Sequence, residues 1–250
     1  MFIHYRTQGI VLKKVDQGEA DRMFTFYTKD FGKLEVLGRG VRKIKSKLRG
    51  GLETFRFSEV EFIQGRVYKT ITDVRLIDSF KNLRNDLKKL TLAYRLSELL
   101  DNLVKGEEPE ERIWVLLKST FQRLNDPSLK LSHLPLLYYY FFWNLLSILG
   151  YKPEFDFCVS CQRKLTPQTL YFHFEEGGII CPSCFKKLKS KFLGRNDVEA
   201  QPCESEIIKL IRLLFREDWE FLRKVKVPFQ YRNALKKISE EYYSHILAQY

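Results

Sequence analysis

Two Cys-x-x-Cys pairs, Cys158/Cys161 and Cys181/Cys184, constrain this chain more than anything else in it, because 19 residues separate the pairs. A Cys-x-x-Cys turn can aim both sulfurs at one point. Two such turns at this spacing supply four thiolates that close a tetrahedral Zn²⁺ shell and leave no position for water. A closed shell is structural, so the expectation is one structural zinc per chain. Four thiolates around a dication carry a formal excess of negative charge, and Arg163, Lys164, Lys186 and Lys187 stand close enough in sequence to offset it. A disulfide pair or a redox dithiol is the rival reading. Stable disulfides belong to oxidising compartments, and the N-terminus has no charged, then apolar, then small-residue secretion pattern, which favours metal in a cytoplasmic setting. Cys203 is left over as a plain small residue. His173, between the pairs, could replace a thiolate but reads as a hairpin side chain.

A chain of 250 residues can hold one large domain or two to three small ones without covalent staples, which makes the cysteine module an insert. Its 43 Lys and Arg against 31 Asp and Glu give a net charge of +12, a field that favours nucleic acid or an anionic membrane as partner. The most apolar run, Leu134 to Leu149, is short for a bilayer and carries Pro135, Asn144 and three tyrosines, so it reads as a buried core helix.

Residues 1–79 read as a barrel. Short β-branched and aromatic runs at Ile10 to Lys14, Met23 to Tyr27, Lys33 to Leu37, Thr54 to Ile63 and Arg66 to Ile77 are separated by turn residues. Five short antiparallel strands suit a small closed barrel, with an oligonucleotide-binding (OB) fold ahead of an SH3-like one. Gly38 to Gly51 is too long for a tight turn and must be an extended loop. It carries Arg39, Arg42, Lys43, Lys45, Lys47 and Arg49 with no acid among them. Like charges in a block repel and stay solvated unless an anion arrives. On a barrel that grips single strands through a cationic groove and aromatic platforms, such a loop is a candidate phosphate-binding element. Phe24, Phe26, Tyr27, Phe55, Phe57 and Phe62 are among the barrel's aromatics, and strand alternation sends most of them to the core.

Helical periodicity begins near Phe80. Leu83, Leu87, Leu90, Tyr94 and Leu103 predict an amphipathic helix to about Gly106. A second, with the acidic start Glu107 to Glu111, runs through Trp114, Leu117 and Phe121 to about Leu124, where Asn125-Asp126-Pro127 stops it. A third lies between Ser132 and Gly150, apolar on every side and so central. Beyond the cysteines, Lys186, Lys187, Lys189, Lys191 and Arg195 form a basic stretch that is either a solvated helix end or a second DNA-contacting patch. Ile207 to Phe215 and Leu235 to Leu247 return to helical spacing. The expected architecture is therefore α+β and multidomain: a five-stranded OB-fold barrel over 1–79, an α-helical domain over 80–150 and 196–250, and a zinc-ribbon-like insert over 151–195.

The N-terminal text Gln8-Gly9-Ile10-Val11-Leu12-Lys13, Gly18-Glu19-Ala20-Asp21-Arg22, Tyr27-Thr28, Gly32-Lys33-Leu34, Gly40-Val41-Arg42-Lys43 and Ser46-Lys47-Leu48-Arg49-Gly50 resembles the RecO family of bacterial DNA repair proteins. That family often carries a four-cysteine zinc module after a central helical segment, and the layout matches over essentially the whole chain. The resemblance implies a recombination mediator without catalytic chemistry. Such a protein binds single- and double-stranded DNA and anneals complementary strands. It docks on the acidic C-terminal tail of single-stranded DNA-binding protein and works with RecR, often with RecF, to load RecA at gaps. It also implies that Arg39, Arg42, Lys43, Lys45, Lys47 and Arg49 form the DNA-binding loop, that Cys158, Cys161, Cys181 and Cys184 ligate the zinc, and that neither membrane nor small-molecule substrate is involved. The pocket for the acidic tail has no motif that places it here.

Two other classes compete. A zinc-ribbon nuclease, ligase or RNA-modifying enzyme would need a catalytic constellation, yet the chain lacks a G-x-x-x-x-G-K-[ST] phosphate loop and H-E-x-x-H, and its acids show no spacing that gathers carboxylates for metals. A sequence-specific regulator would need an element that reads base edges in a groove, and nothing in the sequence identifies one.

Overall fold

A computed structural model describes residues 3–166, 169–191, 200–216 and 218–249. The chain divides into two compact units, residues 1–141 and 142–250.

The first unit opens with a closed barrel of β1 (His4–Gln17), β2 (Asp21–Thr28), β3 (Gly32–Gly38), β4 (Phe57–Gln64) and β5 (Lys69–Asp78), in the order β1-β2-β3-β5-β4. This is the OB-like arrangement, antiparallel throughout except where β3 meets β5. Closure depends on β1, which at 14 residues is long enough to pair with β4 through His4 to Ile10 and with β2 through Gly9 to Gln17. An extra residue, Leu12, interrupts its register with β2, and such a bulge bends a strand enough to serve two neighbours. Inside lie Val11, Phe24, Phe26, Leu34, Val36, Val60, Phe62 and Ile71, with Val41 and Leu52 of the long loop closing one end. β1 is longer at both ends than its apolar run suggests, and β4 starts at Phe57 because Phe55 has a left-handed backbone (φ 63°) that takes residues 54–56 out of the sheet.

The helical run after Phe80 is two helices, α1 (Lys81–Arg84) and α2 (Leu87–Leu103). Asp86 causes the break: its carboxylate accepts from the N–H groups of Lys88 (2.9 Å) and Lys89 (3.1 Å), an N-cap that starts a new helix. Leu87, first in that helix, is 78% exposed despite fitting the apolar spacing. α3 (Glu111–Asn125) follows, capped by Glu110 and ended by Asn125, whose side-chain oxygen accepts from the Asn82 N–H at 2.9 Å. A 3-10 turn over Leu131–His133 leads into α4 (Leu134–Ile148), whose last part belongs to the second unit. Gly150, at φ 91°, ends it.

Barrel and helices pack against each other in this unit through aromatic rings outside the barrel interior. The Phe55 ring lies 4.7 Å from Tyr94 and 5.7 Å from Phe121, while Phe57 lies 5.8 Å from Trp114. The Lys33 ammonium donates to the Asp101 carbonyl at 2.8 Å and pairs with its carboxylate at 2.5 Å. Gly32 (φ 55°) occupies the β2–β3 turn so close to the α2–α3 connection that a Cβ would stand 2.3 Å from the Glu108 carbonyl oxygen.

The second unit contains a three-stranded antiparallel sheet of β6 (Leu170–His173), β7 (Gly178–Ile180) and β8 (Ala200–Cys203), ordered β7-β6-β8. With it are α5 (Pro182–Lys191), α6 (Ser205–Leu214), α7 (Trp219–Leu222) and α8 (Phe229–Leu247). Trp143 of α4 stacks on Tyr242 of α8 at 5.8 Å and faces Phe155 edge-on at 6.2 Å, and Phe155 reaches Phe172 of β6 at 5.9 Å. Asn144, buried on the otherwise apolar α4, donates to the Leu214 carbonyl at 2.9 Å, which satisfies an amide that would be costly unpaired. Among the described residues no helix is long and apolar enough to cross a membrane.

Candidate metal centre and nucleic-acid interface

The four cysteines meet. Cys158 and Cys161 flank a tight turn in which the Gln162 N–H donates to the Cys158 carbonyl at 2.8 Å, with Gln162 itself left-handed at φ 57°. Cys181 and Cys184 sit where β7 enters α5, and the Phe185 N–H donates to the Cys181 carbonyl at 2.9 Å as the first helical turn forms. The four sulfurs all lie within 4.8 Å of one another, and Cys161 and Cys181 are 3.9 Å apart. A tetrahedron of thiolates about 2.3 Å from a central Zn²⁺ has edges of about 3.8 Å, so the spacing suits a four-sulfur metal shell. All four are free thiols. The arrangement can hold a metal ion.

Its surroundings suit the anionic form unevenly. The Arg163 amide N–H draws the Cys161 thiol down to about 7, whereas burial pushes Cys184 up to about 12. The Cys181 N–H donates to the Cys158 sulfur at 3.4 Å. Arg163, Lys164, Lys186 and Lys187 are exposed around the cluster. His173 is not in the cluster: it is buried in the β6–β7 hairpin, where its Nδ1 accepts from the Glu176 N–H at 3.2 Å. Cys203 is buried in β8, its thiol pushed up to about 12 by desolvation. Gly178 is needed beside the first pair, since a Cβ there would lie 2.5 Å from the Val159 side chain. Tyr171 stacks on Phe185 at 3.7 Å, fixing α5 on β6.

The basic loop covers one end of the barrel, against the β1–β2 turn. The Arg42 N–H donates to the Ala20 carbonyl at 3.0 Å, and the Gly40 N–H donates to the Asp21 carboxylate at 2.7 Å. The loop finishes in a 3-10 turn over Lys47–Gly51. Arg39, Arg42, Lys43, Lys45, Lys47 and Arg49 are all exposed. Arg42 differs from the others, for it donates to the Gly18 carbonyl at 3.0 Å and reaches Asp16 at 3.5 Å. Among the described residues the remaining five make no ion pair. Between them Ile44 is 92% exposed.

Phe24, Phe26, Tyr27, Phe55, Phe57 and Phe62 are all buried, so none presents a ring face to solvent. Lys186, Lys187 and Lys189 are exposed on α5; the Lys191 side chain and Arg195 lie outside the described residues.

Arg22 is a further cation at this end of the barrel, outside the basic loop. It lies directly across the β1–β2 pair from Asp16, which its Nε meets at 2.6 Å, and with Arg42 and Arg49 it lines a cleft beside the loop. The turn signal at Gly18 was enough to pair Asp16 with Arg22, but nothing local to the sequence brings Arg49 to the same place.

An OB-like barrel with an exposed basic loop, followed by helices and a four-thiol cluster that could hold a metal ion, is the build of a multidomain α+β protein. The description Recombination protein O N terminal matches residues 1–80, and Recombination protein O C terminal matches residues 84–249. The chain belongs to the RecO family of DNA repair proteins. It is 34% identical to a DNA repair protein RecO of Dehalococcoides mccartyi over 89% of this chain and 83% of that protein. It is 32% identical to one of Roseiflexus over 97% of this chain and 81% of the relative. A third, from Halalkalibacterium halodurans, is 28% identical over 96% of this chain and 88% of its own length.

Proposed function

We propose that this chain is a non-catalytic recombination mediator that binds single- and double-stranded DNA and anneals complementary strands in gap and break repair. The observation that carries the reading is the loop on the barrel, where Arg39, Lys43, Lys45, Lys47 and Arg49 are exposed with no carboxylate paired to them among the described residues. Annealing brings two polyanions together, and cations that replace the condensed counterions around phosphates lower that barrier without reading sequence. The loop supplies charge while the barrel holds it in place.

In this reading residues 1–79 are the DNA-binding barrel and residues 80–150 with 196–250 the helical domain. Residues 151–195 are a zinc-ribbon-like insert. Cys158, Cys161, Cys181 and Cys184 hold one structural Zn²⁺, which braces that part of the chain, and Lys186, Lys187 and Lys189 on α5 add a secondary DNA contact. The protein acts in the cytoplasm at the nucleoid. Family membership supports the partners: RecR, the acidic tail of single-stranded DNA-binding protein and RecF, in service of loading RecA.

The test is strand annealing of complementary oligonucleotides, bare and coated with single-stranded DNA-binding protein. Faster annealing in both cases is expected; no acceleration of the bare strands overturns the DNA reading, and acceleration of bare strands alone overturns the docking.

A further inference from the structure

Beside the basic loop, at the same end of the barrel, is a cleft of about 190 Å³ whose walls include Arg22, Arg42, Arg49 and Glu53, with Val41 and Leu52 among its apolar lining. Its charges do not cancel. Asp16 is shared between Arg22 and Arg42, at 2.6 and 3.5 Å. Glu53 is held by the Lys14 ammonium. Arg49 has no carboxylate partner among the described residues. Three guanidinium groups and the Lys14 ammonium thus stand against two carboxylates, Asp16 and Glu53, and two positive charges stay uncompensated around a recess whose apolar lining, Val41 and Leu52, is buried.

A recess of that size has room for a phosphate group. We infer that this cleft is a binding site for a phosphate monoester dianion, the group on a phosphorylated strand terminus. An internal phosphodiester carries one negative charge and has chain leaving on both sides. A terminal monoester carries close to two near neutral pH, offers three oxygens to the fork-shaped guanidinium donors and can enter the recess end-on. The charge excess matches the dianion. Arg22 is pre-oriented by Asp16, which spares it the cost of ordering when the anion arrives.

The inference rests on the proposed DNA binding by the loop and deepens it, from a sequence-neutral grip on backbone to a preference for phosphorylated ends. It is tested by fluorescence anisotropy with the full chain and one oligonucleotide sequence carrying a 5′-phosphate, a 3′-phosphate or hydroxyls at both ends. The ratio of affinities, phosphate-ended over hydroxyl-ended, should be roughly fivefold or more for at least one of the two termini, and the two arms tell which. Arg49→Gln should bring that ratio close to one. Lys45→Gln, on the loop but outside the cleft, should weaken both ligands and leave the ratio in place. Inorganic phosphate should erode the preference before it displaces the hydroxyl-ended strand. Equal affinity for all three ligands overturns the cleft while the loop reading stands; binding of none of them overturns both.

Discussion

The backbone N–H of Cys181 donates to the Cys158 sulfur across 3.4 Å, so the second Cys-x-x-Cys turn is tied to the first by a hydrogen bond. The same contact joins β7 to the turn after Phe155, and Phe155 in turn packs on Trp143. Metal held at the four sulfurs would therefore stabilise the packing of the second unit. Elemental analysis of protein purified under reducing, metal-replete conditions should find one zinc per chain. Cys158→Ser should weaken metal binding by more than the roughly 10- to 100-fold typical of outer-shell partners. Strong chelation should lower the unfolding temperature of the wild type and leave that of the variant nearly unchanged.

Single-strand binding should depend on salt in proportion to the loop cations that reach phosphates. If the five unpaired cations each do so, the log-log slope is about −3.5, and about −4 if Arg42 leaves Asp16 to join them. Neutralising Arg42, Lys43 and Lys45 together should make the slope shallower by about 1.4 to 2 and slow annealing. Zinc content should not change. An unaltered slope, read by titration between low and moderate salt, would show that other residues contact the backbone.

Phe55 is fully buried, has a left-handed backbone and touches both Tyr94 of α2 and Phe121 of α3. Truncation leaves a cavity where barrel and helices pack against each other. Phe55→Ala should cost about 3–5 kcal/mol in denaturant unfolding, and loss of less than about 1 kcal/mol would mean that the surrounding rings collapse to refill the space.

Gly32 combines a positive φ with a backbone approach that leaves no room for a side chain. Gly32→Ala should destabilise by more than about 1 kcal/mol, because the turn must either shift or press on Glu108. Cysteine-to-metal stoichiometry, distant in sequence, is the control that should stay fixed. Thermal unfolding followed by circular dichroism measures the first effect and a zinc assay the second.

Glu61, on the outer face of β4, is held down to about 2 by hydrogen bonds from Arg6 first, then His4 and Thr72. A carboxylate depressed in the folded state contributes stability that is complete above its unfolded value and is lost as pH falls through the folded one. The relevant window runs from about 4.5 down to about 2. Glu61→Gln should lower stability near neutral pH, where the contribution is complete, and flatten the acid limb of the stability profile in that window, so that variant and wild type converge at the acid end. A variant whose acid limb keeps the wild-type slope would place the sensitivity elsewhere.

Much of this architecture could be read from local text. Alternating and turn residues marked the five barrel strands, and the two Cys-x-x-Cys turns announced a four-sulfur cluster because each turn builds its half from adjacent residues. Periodicity likewise found α3 and α4, whose ends are set by the neighbouring Asn125-Asp126-Pro127 and by Gly150. It merged α1 with α2, since a capping Asp86 inside an apolar pattern looks the same as an exposed helical aspartate until its carboxylate is seen on two N–H groups.

The sequence by itself determined the spacing of the four cysteines and a loop in which six cations occur without an acid. Only the tertiary structure decided which of them are available. Asp16, more than twenty residues upstream of Arg42, occupies that cation, and strand pleating together with helix packing buries Phe24, Phe26, Tyr27, Phe55, Phe57 and Phe62. Both outcomes depend on groups far apart in the chain. Charge pairing and burial are settled by distance in space, and the order of residues limits that distance without specifying it.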